Sequence, residues 1–507
     1  MLPAPRASLS PNTAEFESFP LVKPTGFREY DARWWFGIPG AEKPPELNLL
    51  GVQALGLGLG TLVHEFGVAP RIVVGHDFRF YSTSIKQALT LGLMQAGMEV
   101  NDIGLALSPT AYFAQFALDI ACVAMVTASH NENGWTGVKM GANRPLTFGP
   151  EEMGRLKEIV LGGAFKERAG GAYKRVEDVR ERYIADVASR VKLTRPLKVI
   201  AACGNGTAGA FAPEALRRMG AEVIDLHTAL DWTFPNYNAN PEDAEMLHDM
   251  AHAVKRCGAD VALGFDGDGD RCGVVDDEGE EIFADKVGLM LARDLSAEFK
   301  NATFVADVKS TGLYAVDPVL KANGAKVDYW KTGHSYIKRR TTELGALAGF
   351  EKSGHFFFRE PLGLGYDDGI VAAAAVLAML DRNPGKKLSD LKKALPRSFT
   401  SLTMSPHCDD EKKYGIVDKV VAEYQQFAKD GGKILGRSIR DVNTVNGVRV
   451  TLEDGAWVLV RASSNKPELV VVVESMTSDD DMKALFREEV KPRLARFPEI
   501  GAYNQEI

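Results

Sequence analysis

The strongest constraint on the fold is a repeated alternation: a short apolar run, a polar or glycine-rich loop at its end, then residues at helical spacing. Arg71-Ile72-Val73-Val74-Gly75 opens one such unit. His76-Asp77-Phe78-Arg79-Phe80 follows, and Ile85, Ala88, Leu89 and Leu93 then share a helical face. Cys122-Val123-Ala124-Met125-Val126 delivers Thr127-Ala128-Ser129-His130-Asn131 in the same way. Further along, the run 197–202 leads into a glycine loop and the run 259–265 into an acidic one. The runs 304–308 and 327–330 precede Lys331-Thr332-Gly333-His334. Strands alternating with helices predict successive α/β units. Beyond a Pro-, Gly- and Lys-rich stretch at 384–398 the pattern changes. A helix is expected over 412–429, then short strands at 448–452, 457–460 and 469–473, then a closing helix over 480–495.

Two of the strand-end loops carry chemistry. A free serine such as Ser129 is a poor nucleophile and needs a base, a metal or a positive charge beside it. His130 and Lys139 are the candidates nearby in sequence. Far along the chain, Phe265-Asp266-Gly267-Asp268-Gly269-Asp270-Arg271 sets three carboxylates at alternate positions, with glycines that allow tight curvature. Oxygen ligands of this kind suit a hard cation. No twelve-residue pattern with a terminal glutamate follows, so this is not an EF-hand. Arg271 is too positive to bind the metal and suits a phosphate better. Near the end, Arg461-Ala462-Ser463-Ser464-Asn465 offers a guanidinium and small donors after a strand, a set also suited to phosphate.

Taken together, the Ser129 loop and the Asp266–Arg271 loop resemble those of the α-D-phosphohexomutases, in particular the phosphomannomutase/phosphoglucomutase branch. The resemblance runs from about Phe27 to about Pro467 with the motifs in family order. It implies three related α/β domains followed by a smaller α+β domain, arranged around a central cleft. The expected divisions are an N-terminal tail over 1–20, then 21–165 with the phosphoserine loop, 166–280 with the metal loop, 281–392 with the sugar-specificity loop, and 393–507 with a phosphate-binding loop.

The same resemblance implies that Ser129 is carried as phosphoserine and that Mg2+ is held by Asp266, Asp268, Asp270 and an oxygen on Ser129. Arg28, His130 and Lys139 join Ser129 as expected catalytic residues. Expected substrate contacts are Tyr30, Arg33, Arg271, His334, Lys338, Glu351, Ser353, His355, Arg461, Ser463, Ser464 and Asn465. Some flanks depart from the family pattern. His76 and Phe78 stand where arginine and glycine are usual, Trp34-Trp35-Phe36 follow Arg33 before Gly37, and Phe350 replaces the glycine before Glu351. The three aromatics could cover the entrance or pack against a neighbouring domain, and packing is the expectation.

The implied reaction is the reversible interconversion of hexose 6-phosphate and hexose 1-phosphate, of mannose, glucose or both. It proceeds through a hexose 1,6-bisphosphate, which also serves as activator. Phosphoglucosamine mutase and strict phosphoglucomutase are the rival enzyme readings; a catalytically silent sugar-phosphate-binding protein is the non-enzyme one. A formal charge of -8 gives no basic face for nucleic acid or anionic lipid. Five cysteines with no close pair favour unpaired thiols in a reducing compartment. With no transmembrane or export segment visible, the expectation is a cytoplasmic monomer or weak homo-oligomer with small-molecule partners.

Overall fold

Parallel strands buried on both faces form where the apolar β-branched runs predict them. The computed structural model describes residues 2–464 and 466–507, and it divides into two units. The first unit comprises Met1–Ala284 with Ser353–Ser389; the second comprises Asp285–Lys352 with Asp390–Ile507.

The first unit holds two sheets. In one, the strands Cys122–Val126, Arg71–His76, Glu99–Leu105 and Ala172–Arg175 run parallel as neighbours in that order. Trp135–Gly141 pairs antiparallel with Cys122–Val126, and Ala32–Trp35 continues the antiparallel edge. The helices Leu49–Glu65, Ser82–Gln95 and Pro150–Leu161 pack together, and their apolar faces share one core with the strands. In the other sheet, Lys198–Ala202 lies between the parallel strands Glu222–Leu226 and Val261–Phe265, and Cys272–Asp276 turns back antiparallel. The helix Gly369–Arg382, from the later segment of this unit, packs on Val179–Arg190, Ala212–Met219 and Cys272–Asp276.

Residues at the start of the chain are fastened to the first sheet's helices. Asn48 donates from Nδ2 to the carbonyls of Phe16 and Phe19 at 2.8 and 2.9 Å, while its Oδ1 accepts from Leu21 N and Gly51 N. The expectation for the aromatic run needs correction. Trp34 is fully buried in the first sheet's own core, not against a neighbouring domain, and its indole donates to the Lys23 carbonyl at 2.8 Å.

In the second unit, Lys326–Trp330, Thr303–Asp307 and Ala348–Phe350 form parallel neighbours. The final sheet is antiparallel throughout, in the order Phe399–Thr400, Leu469–Ser475, Trp457–Ala462, Val448–Leu452, Arg437–Asn443, Lys433–Ile434. The helix Lys413–Lys429 packs on it. The closing helix forms, but a π-helical segment at Leu485–Val490 interrupts its α register. No helix among the described residues is long and apolar enough to cross a membrane.

Close approach of two helices in the first unit depends on missing side chains. A Cβ on Gly92 would stand 2.0 Å from the Gln53 carbonyl, and one on Gly56 would stand 2.2 Å from the Leu89 carbonyl. Backbone cannot yield as a flexible side chain does. Gly92→Ala is therefore expected to destabilise the protein by about 1–3 kcal/mol, read as a lower urea midpoint at unchanged slope.

Candidate functional site

The strand Cys122–Val126 is wholly buried and ends at Thr127, which begins a loop closed by internal hydrogen bonds. Thr127 Oγ1 accepts from Ser129 N at 2.9 Å, and the Ala128 carbonyl accepts from Asn131 N at 3.0 Å. Ser129 itself has φ +53°, in the left-handed region, which costs a residue with a Cβ about 1–2 kcal/mol. The adjoining strand Arg71–His76 supplies Asp77 and Arg79, whose side chains are buried and paired.

Ser129 Oγ lies 3.1 Å from His130 Nδ1 and 3.3 Å from Asp266 Oδ2. Its single proton can go to one of these acceptors at a time. Burial, reinforced by Arg271 and Arg33, pushes the His130 imidazole well below its usual range, so the ring is a neutral acceptor.

Asp266, Asp268 and Asp270 are completely buried, and their ligand oxygens lie within 4.8 Å of one another. Oδ1 of Asp268 and Oδ1 of Asp270 accept no hydrogen bond, although both are out of solvent. Burial together with Asp270 and Asp268 holds the Asp266 carboxyl well above its usual range. Asp268 goes the other way. Burial opposes its charge, but Lys139 and Ser108 outweigh that and keep it ionised. Three buried acids with two orphaned oxygens fit a hard divalent cation. Asp270 also belongs to a second such group, with His355 and Asp367.

Lys139 comes from the antiparallel strand Trp135–Gly141. Its Nζ donates to Asp268 Oδ2 at 2.7 Å and also to Asp270 Oδ2. Burial opposes its charge, yet the two aspartates hold it well above its usual range, so it remains an ammonium. Arg33 donates to Asn131 Oδ1 at 3.1 Å and pairs with Asp31 at 2.9 Å. Arg28 and Tyr30 sit on the bend just before, between the paired residues Phe27 and Ala32.

Arg271 Nε donates to His355 Nε2 at 3.0 Å. A guanidinium only donates, so the ring proton of His355 is on Nδ1. That nitrogen faces Asp367 Oδ2 at 3.1 Å and Asp270 Oδ1 at 3.6 Å. Ser353 belongs to this same unit.

The second unit gathers other candidates. Gly333 N donates to Glu351 Oε1 at 2.5 Å, and His334 and Lys338 follow on the helix His334–Glu343, both buried. Asn446 Oδ1 accepts from Thr332 N at 3.4 Å and from Arg461 Nη1 at 3.2 Å, which brings the loop before His334 and the Arg461 loop to one side chain. Ser463 is buried and Ser464 is partly exposed. Asn465 lies outside the described residues.

Several groups here escaped the sequence reading. Ser108 donates to Asp268 Oδ2 at 2.5 Å, Asn238 donates to the His130 carbonyl, and Asp367 faces His355. Ser108-Pro109 is legible as a helix start, but nothing local says that it meets a residue 160 positions away.

Comparison with known proteins finds relatives along most of the chain. Four family models match in order: phosphoglucomutase/phosphomannomutase α/β/α domain I over residues 25–167, domain II over 181–279, domain III over 283–399, and the C-terminal domain over 408–491. A phosphomannomutase/phosphoglucomutase of Pseudomonas putida is 33% identical over 92% of this chain and 96% of its own. A phosphoglucomutase of Neisseria meningitidis is 31% identical over 89% of this chain and 93% of its own. Among solved structures, a phosphoglucomutase/phosphomannomutase family protein from Burkholderia thailandensis superposes with a TM-score of 0.82 at 28% identity, covering 95% of this chain and 99% of that one.

The acid cluster should respond to metal. Mg2+ added to the stripped protein is expected to raise the melting temperature logarithmically with its concentration, with about 2.7 kcal/mol gained at a hundredfold excess over Kd. Asp270→Asn should remove most of that gain. Lys139→Met should enlarge it, since the carboxylates lose their built-in cation.

Proposed function

We propose that this chain, which belongs to the phosphoglucomutase/phosphomannomutase family, interconverts hexose 6-phosphate and hexose 1-phosphate, with mannose and glucose phosphates as its substrates. The observation that carries the reading is Ser129 Oγ, held in a strained loop within 3.3 Å of a buried aspartate triad and 3.1 Å from a neutral imidazole.

In the proposed cycle, Ser129 starts phosphorylated. The Oγ–P bond breaks as the free hydroxyl of the hexose phosphate forms its own O–P bond, and one proton moves from that hydroxyl to Ser129 Oγ. His130 Nδ1 is within reach to carry this proton. The product is a hexose 1,6-bisphosphate. After it reorients, Ser129 Oγ takes the phosphoryl group from the other end and gives its proton back through His130. Added hexose 1,6-bisphosphate would charge an unphosphorylated enzyme by this second half alone.

Mg2+ held by Asp266, Asp268, Asp270 and an oxygen on Ser129 would supply stabilisation of charge on the transferring group. Lys139, paired with Asp268 and Asp270, supplies positive charge beside the acids. Arg461, buried beside Asn446, is suited to the phosphate distal to Ser129. Glu351, His334 and Lys338 are assigned to the sugar and its phosphate, and Arg33, Arg271 and His355 to the groups near Ser129.

Two measurements test this. Isomerase assays should find turnover of mannose and glucose phosphates above that of glucosamine phosphate, and peptide mass spectrometry should find phosphate on Ser129. Ser129→Ala should stay folded and lose turnover by at least about a thousandfold; retained turnover would end the assignment. The distal phosphate is checked separately. Because the sugar must bind in two orientations, Arg461→Ala should lower kcat/KM for the 1-phosphate and the 6-phosphate alike, each by about 1–3 kcal/mol. An effect on one isomer alone would remove the shared pocket.

A further inference from the structure

The Ser129 loop is held by its carbonyls. Arg79 Nη2 donates to the Ser129 carbonyl at 3.1 Å and to the Asn131 carbonyl at 2.7 Å. Between them, the His130 carbonyl accepts from Asn238 Nδ2. Three consecutive peptide oxygens are therefore fixed by side chains that belong to other loops.

The guanidinium is itself immobilised. Arg79 Nη1 donates to Asp77 Oδ2, Arg79 N donates to Asp77 Oδ1 at 3.2 Å, and the Phe234 ring stands 5.5 Å away. Asp77 also reaches the front of the loop. Its Oδ2 accepts from Thr127 Oγ1 at 2.9 Å and from Ala128 N at 3.3 Å, and Ser82 Oγ donates to its Oδ1 at 2.5 Å. The side chains of Asp77 and Arg79 are 0% and 1% exposed. On the other side, the Ser129 carbonyl packs against Gly267 of the acid loop. A Cβ on Gly267 would stand 2.4 Å from that oxygen. The carbonyl thus has a charged donor on one side and bare backbone on the other.

From this arrangement we propose that Asp77 and Arg79 are positioning residues for the phosphoryl-transfer step: they hold Ser129 in its left-handed backbone conformation and so keep Oγ aimed at Asp266 and His130. This rests on the reading of Ser129 as the phosphoryl carrier. The physical argument is short. A residue with a Cβ leaves the left-handed region unless its surroundings over-determine it. With the Arg79 bonds gone, the peptide units flanking Ser129 can rotate, and Oγ swings away from the acids while the acids stay where they are. Neither Asp77 nor Arg79 touches the transferring group, so sugar binding is left alone. Misplacement by an ångström is enough to slow transfer about a hundredfold.

The test uses the full-length protein with Mg2+ and a hexose 1,6-bisphosphate as phosphoryl donor. Arg79→Ala should lower kcat about 10- to 100-fold with KM for the hexose phosphate changed less than about twofold, and slow the labelling of Ser129 by the same factor. Its Mg2+-induced shift in melting temperature should be reduced but not lost, because the three aspartates stay in place and only the Ser129 oxygen is displaced. Added guanidinium should restore part of kcat in Arg79→Ala and none in Arg79→Met, where a side chain fills the space. Arg79→Lys, which keeps the charge but has one nitrogen where arginine uses Nη1 for Asp77 and Nη2 for the two carbonyls, covers the case in which the alanine variant fails to fold, and should show an intermediate loss.

Wild-type kcat in Arg79→Lys together with Arg79→Ala would overturn the proposal. So would a loss that disappears when rates are normalised to folded protein, or one that falls on KM alone. Ser129→Ala run alongside separates the two ideas. If that variant keeps its turnover, the carrier reading is wrong; if it is inactive while the Arg79 variants behave as wild type, only the positioning role is lost.

Discussion

The first unit depends on hiding three carboxylates in one place. Asp266, Asp268 and Asp270 are fully buried, and each ionised acid out of water costs several kcal/mol unless it is compensated. Compensation arrives mostly from outside the acid loop. Lys139 comes from an antiparallel strand of the first sheet, Ser108 from the start of a helix on that sheet, and Arg271 from the residue after the acids. The ends of two sheets are therefore obliged to meet. Asn238 to the His130 carbonyl and Phe78 N to Thr207 Oγ1 at 3.4 Å belong to the same seam. The balance is still incomplete, since two carboxylate oxygens have no donor. A site left short of positive charge in this way is poised for a cation rather than for a substrate hydroxyl.

In the second unit, the buried acid Glu474 serves a structural purpose. Glu474 accepts from Thr311 Oγ1, Gly312 N, Thr400 Oγ1, Trp457 Nε1 and Lys286 Nζ. Burial opposes its charge, but Lys286 and the donors outweigh that and keep it ionised. Arg449 does the reverse job with carbonyls, donating to Val308 O and Ser310 O while the Tyr329 and Trp457 rings flank its guanidinium. Within this unit the antiparallel sheet is thus tied to the turn after Thr303–Asp307, and Asn446 extends that tie to the loop before His334. In Glu474 every acceptor need is met, whereas the triad keeps orphaned oxygens. The difference separates a carboxylate that builds the fold from carboxylates that await a ligand.

Much of the fold could be read from periodicity, because strands buried on both faces leave unbroken β-branched runs such as Val73-Val74 and Val470-Val471-Val472-Val473. The strand-end loops were legible for a chemical reason: serine with histidine, and three aspartates spaced by glycine, have few structural uses. What could not be read is partnership at long range. Asp268 with Ser108, Asn446 with Thr332 and Arg461, and Asp367 with His355 involve ordinary residues whose meaning comes only from the meeting. The place of Trp34 is hidden in the sequence for a related reason. An aromatic run next to a polar segment gives no sign of which core receives it. Here a strand pairing, Trp34 opposite Thr136, turns the indole into the sheet's own interior.

The departures from the family pattern have physical explanations that leave the polar groups in place. Phe350 occupies the position where the family has glycine, and its ring stacks with Phe304 and Tyr314 at 5.9 and 6.1 Å. Room for it comes from Gly288, where a Cβ would stand 2.9 Å from the Cβ of Phe350. The residue after it is unaffected, since Glu351 still accepts from Gly333 N. Phe78 stands at another glycine position and meets Phe234 edge-on at 5.8 Å, and that same ring covers Arg79. Each large side chain is thus absorbed by a hydrophobic neighbour. Phe350 and Trp34 are thus packing residues, and a silent sugar-phosphate-binding protein would have no need to keep Ser129 strained beside unsatisfied carboxylates.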